Sequence, residues 1–175
     1  MHRWELLVCG KLFYQLAHKL TGSVTFQERV RKQVMAFEDP VNVKTFEQLS
    51  DVRHSLLRLH KTLLEHQRKA YERAGGEIAN SYQLLKLVLH DQLFAWLHHL
   101  SGLVVQIDEL LDSDEQPRQA DAMNLLNQAR FLITPSEAGD EFQRKYFESL
   151  QESPDVVLAH SELVQLLGKR ISQIH

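Results

Sequence analysis

At 175 residues, 43% of them hydrophobic and 25% charged, the chain can bury a core as one domain without disulfide or metal support. Its 20 basic and 23 acidic residues are interleaved and sum to −3, which speaks against nucleic-acid binding through a clustered basic surface. Seven Gly and four Pro are too few for the turns of a strand-rich fold, and no apolar run reaches the roughly 20 residues of a membrane span.

Cys9 is the sole cysteine, so neither an intrachain disulfide nor a Cys-based zinc site is expected, and a reducing, cytoplasmic location fits best. Residues 3–20 suit an amphipathic helix. Leu6, Cys9, Phe13, Leu16 and Leu20 share one side, and Glu5 and Lys11 interrupt what would otherwise resemble a signal peptide. We read residues 1–24 as a peripheral N-terminal helix and 25–175 as a single helical bundle domain. A capping box at Thr25 and Glu28 opens a short helix over 26–37.

The clearest segment follows. Leu49, Leu56, Leu63 and Ala70 recur every seven residues, with Val52, Leu59 and His66 between them. Glu47, Asp51, His54, Arg58, Lys61, Glu65, Lys69 and Glu72 fall in one opposite arc, so this face is in water. The pattern predicts a helix from a cap at Thr45 to Ala74, about 45 Å long and stopped by Gly75-Gly76. A second long helix is expected from Ser81 to Leu111, with Leu89, Leu93, Trp96, Leu100, Leu103, Ile107 and Leu110 as its core stripe. The alternative to an uninterrupted helix is a kink or break at His90-Asp91. Gly102 costs up to about 1 kcal/mol there against Ala, so a close helix crossing is expected at that point.

Beyond the polar loop 112–117, a helix over 119–133 carries Ala122, Leu125, Leu126, Ala129 and Ile133 inward. Thr134-Pro-Ser-Glu137 has the form of a capping box for a helix bearing Phe142, Tyr146 and Leu150. Ser153-Pro154-Asp155 opens a last helix whose stripe is Val156, His160, Leu163, Leu167, Ile171 and Ile174. The expected fold is therefore all-α: a helical bundle of six to seven helices around a long antiparallel two-helix hairpin.

Ten histidines in a helical bundle raise the question of a metal. The spacings answer against one: neither Glu-x-x-His nor His-x-x-x-His occurs, and His54, His60 and His66 point about 120° apart around their helix. No nucleophile elbow, Walker A loop or dinucleotide fingerprint is present. No catalytic residue, metal ligand or cofactor is assigned. An antiparallel hairpin closing at 75–80 sets His66 level with His90 and His60 level with Trp96, a possible polar pocket or pH-sensitive joint. Edge-of-core imidazoles with single hydrogen bonds are the commoner outcome of such a pattern. His160, amid an apolar stripe, is expected to be neutral and hydrogen-bonded, or to line a ligand cavity.

The stretch His90-Asp-Gln-Leu-Phe-Ala-Trp-Leu-His-His-Leu-Ser-Gly-Leu-Val-Val-Gln-Ile-Asp-Glu109 resembles a segment of small bacterial helical proteins of uncharacterised function. The likeness runs from Thr45 onward and implies a bacterial cytosolic protein, but it transfers no residue role. Wide apolar helix faces without a catalytic set lead to the expectation of a non-enzymatic protein-interaction or regulatory module, with a protein partner or self-association as a homo-oligomer. The alternative is a small-ligand or metal-binding bundle using His60, His66, His90, Trp96 or His160.

Overall fold

A computed structural model describes residues 41–114 and 117–168 of the chain. The expected helices over 3–20 and 26–37, and the stripe residues Ile171 and Ile174, lie outside the described residues. Among those described there are seven helices and no strand. They are α1 (Val43–Arg73), α2 (Ser81–His90), α3 (Gln92–Ala95), α4 (His98–Leu111), α5 (Gln119–Leu132), α6 (Glu141–Glu152) and α7 (Pro154–Gly168).

The heptad stripe of α1 forms the centre of the bundle. Leu49, Val52, Leu56, Leu59 and Leu63 are all completely buried, and each such side chain removes enough apolar surface from water to contribute about 1.5–3 kcal/mol. α7, α4 and α5 pack along this helix, in that order of extent. The helix begins three residues earlier than the sequence suggested. Its cap is Asn42, whose side-chain oxygen accepts from the Thr45 amide at 2.8 Å and from the Thr45 hydroxyl at 3.0 Å. It ends as expected, with Gly75 at φ +91, a conformation open to glycine because it lacks Cβ. On the wet face, Arg68 takes both carboxylates within reach, Glu65 at 3.0 Å and Glu72 at 2.8 Å.

The second arm of the expected hairpin is not one helix. Asp91 adopts an extended conformation (φ −90, ψ 131) and turns its carboxylate onto the Leu93 amide at 2.8 Å, ending α2 and capping α3. A further turn at Trp96-Leu97 leads into α4. The break rotates the apolar stripe. Trp96, Leu100, Leu103 and Ile107 are buried on schedule, but Leu89 and Leu93 stand about half exposed, at 54% and 48%. It is α4, not α2, that makes the extensive antiparallel contact with α1, including an Arg53–Asp108 ion pair. The register differs as well. Trp96 donates its indole N–H to Gln67 Oε1 at 3.3 Å, two turns along α1 from the level of His60.

Thr134 does not open a helix; its hydroxyl donates back to the Arg130 carbonyl, and residues 134–140 are a loop. The capping box is Asp140 with Gln143, each side chain accepting from the other's backbone amide. Gly102 meets no close helix crossing: a Cβ there would find open space.

Candidate functional site

α2 is apolar yet buries no residue fully. Leu84, Leu87 and Val88 lean on the core with one side. The other side carries Tyr82, Leu85 and Leu89, which at 100° per residue fall within about 60° of arc. They are 69%, 53% and 54% exposed. Lys86 and His90, the only basic side chains of α2, flank one edge of this arc, and the helix has no acidic residue. Lys86 Nζ sits 5.9 Å from the centre of the Tyr82 ring. A ten-residue helix is marginal in water without tertiary support, so a large exposed apolar face on one is physically costly.

The histidines singled out in the sequence do not converge. His66 lies 3.3 Å from Glu152 at the start of the α6–α7 turn, while His90 is exposed at the end of α2. The expected His66–His90 level therefore brings no pair together. Half-buried His60 is close enough to His98 for that neighbour, after burial itself, to help hold its pKa below the usual imidazole range. His98 Nε2 in turn donates to the Val88 carbonyl at 2.7 Å, tying the end of α2 to the start of α4. His98 and His99 both line a groove of about 590 Å³ between α4 and α5 whose floor is Gly102 and Leu103, and which is open to solvent. Among the described residues, no three His, Cys, Asp or Glu side chains cluster as metal ligands would.

Trp96 and His160 prove to be two ends of one aromatic row. Trp96 packs on Phe142 with ring centres 5.7 Å apart, Phe142 stacks on Tyr146 at 5.5 Å, and Tyr146 meets His160 at 5.8 Å. The row fastens α6 across the bundle. Tyr146 is completely buried and its hydroxyl lies 2.7 Å from His160 Nδ1. Burial pushes the Tyr146 phenol up and the His160 imidazole down, so both are neutral near pH 7. The sequence marked His160 as needing a hydrogen bond but took Tyr146 for plain core. A tyrosine in an apolar stripe, whose hydroxyl must find a partner when buried, was the available signal.

No protein-family model, no curated protein and no solved structure matches the chain. The likeness of the 90–109 segment to small bacterial proteins accordingly assigns no role, and function rests on the geometry above. No helix among the described residues is long and apolar enough to cross a membrane.

Proposed function

We propose that this chain is a non-enzymatic, cytoplasmic protein-interaction module that receives an amphipathic helix of a partner protein on α2. The observation that carries the reading is the exposed row Tyr82, Leu85 and Leu89 on an element with no fully buried residue. Its spacing of three and four residues is that of a helix-in-groove seam. Lys86 and His90 along the edge favour an occupant with acidic flanks. A second copy of α2 offers the same basic edge and no carboxylate of its own, so the charge pattern favours a different chain over self-association.

Fluorescence anisotropy with a designed 20-residue helix provides the test. One version carries leucines at the seam positions and glutamates beside them; its counterpart carries lysines in place of the glutamates. The acidic version is expected to bind at least about tenfold more tightly, and Leu85→Glu with Leu89→Glu to abolish binding. Equal affinity for the two peptides would overturn the reading, as would a dimer in light scattering that the double variant dissolves.

A further inference from the structure

A second site stands apart from α2. Between the C-terminal ends of α5 and α7 lies an open recess of about 380 Å³, within the range of about 300–1,000 Å³ common for small-molecule sites. Ile133, Pro135, Val164 and Leu167 give it apolar walls, and Arg130, Thr134 and His160 supply its polar side chains.

The polarity of this recess follows from the buried pair beneath it. The Tyr146 hydroxyl has no partner among the described residues other than His160 Nδ1. If the imidazole donated, the phenolic proton would be buried without an acceptor, at a cost of about 1–3 kcal/mol. The phenol therefore donates, and His160 is held as the tautomer with its proton on Nε2. That nitrogen lies across the ring from Tyr146 and has no partner among the described residues.

Arg130 adds a second donor. Its Nε and Nη2 donate to the Leu167 carbonyl at 3.3 and 2.9 Å, and Nη1 donates to Asn127 Oδ1 at 2.7 Å. Two of the five guanidinium N–H groups are left over, and no carboxylate among the described residues pairs with it. The Thr134 hydroxyl proton is used on the Arg130 carbonyl. The polar hydrogens still available at the recess therefore come from one cation and one neutral imidazole. A ligand that only accepts satisfies them; one that brings its own N–H groups does not. The helix ends place partial negative charge nearby, and Arg130 already answers it by capping the Leu167 carbonyl.

We propose that this recess binds a small apolar carboxylate, its oxygens on Arg130 and His160 and its hydrocarbon against Ile133, Val164 and Leu167. Hexanoate and benzoate are suitable probes, and hexylammonium, of matching length and opposite charge, is the control. Calorimetric titration of the 175-residue chain should show one saturable hexanoate site and no heat from hexylammonium. Arg130→Gln should weaken hexanoate about tenfold. Val164→Trp, which fills the recess from a partly exposed rim, should weaken it at least as much while circular dichroism stays unchanged. Hexanoate should also shift the ¹⁵N resonance of His160 Nε2. The proposal is overturned if neither acid saturates, if hexylammonium binds as well as hexanoate, or if both variants bind hexanoate unchanged.

Discussion

α1 and α2 are adjacent in sequence, both helical and both rich in leucine, yet they are stabilised in different ways. α1 spends its apolar residues inward: five of them are completely buried among α4, α5 and α7. α2 keeps Leu85 and Leu89 more than half exposed and is fixed by its ends, through the Asn80 cap, the Asp91 break and the His98 bond to the Val88 carbonyl. The comparison shows that apolar content does not decide burial. Facing decides it, and facing is set where the chain turns.

The contrast can be broken by substitution. In α1, Leu59→Ala should cost about 2–5 kcal/mol in urea unfolding, because a fully buried side chain leaves a cavity its neighbours cannot close. Tyr146→Phe should cost about 1–2 kcal/mol, the price of leaving His160 Nδ1 without its donor. If it proves neutral, the phenol–imidazole bond does not hold α6 to α7. Asp91→Ala should cost about 1 kcal/mol through the lost cap and should change the backbone shifts of 89–95 more than those of α1.

A pH titration sharpens the same picture. His160 and His60 both have folded pKa values below the usual 6.5, chiefly through burial. The unfolded chain therefore takes up protons first as pH falls. Their contribution to stability is complete above about pH 6.5 and declines below it, levelling once pH passes beneath the folded values. His160→Gln should flatten that decline in urea midpoints measured between pH 7.5 and 5; an unchanged slope would show that His160 titrates normally. The smallest effect is expected in α2. Leu85→Glu with Leu89→Glu should move unfolding by no more than about 0.5 kcal/mol, since neither side chain is buried.

What could be read from the sequence follows the same division. The α1 stripe was legible because its heptad repeat and its charged arc agree over about six turns, leaving one rotation that buries the leucines. α5 was legible from Ala122, Leu125, Leu126, Ala129 and Ile133, which share one side and are all buried. The Ser81–Leu111 run was not, because it is apolar around most of its circumference, so continuous and broken helices bury equally plausible faces. Asp91 decides between them through a local bond to Leu93 that periodicity does not register. The candidate sites divide similarly. His160 was recognisable from its apolar neighbours, but its partner Tyr146 comes from another helix and depends on how α6 packs. The levels assigned to His60, His66, His90 and Trp96 assumed an unbroken second arm, and they moved when that arm broke.

Amide hydrogen exchange on the isolated 175-residue chain tests most directly whether α2 is an uncovered helix. The account predicts that amides of residues 84–90 exchange through local opening, orders of magnitude faster than those of Leu56–Leu63 in α1, which should wait for global unfolding. Protection of α2 equal to that of α1, independent of protein concentration, would contradict it, because the row from Tyr82 to Leu89 would then already be covered.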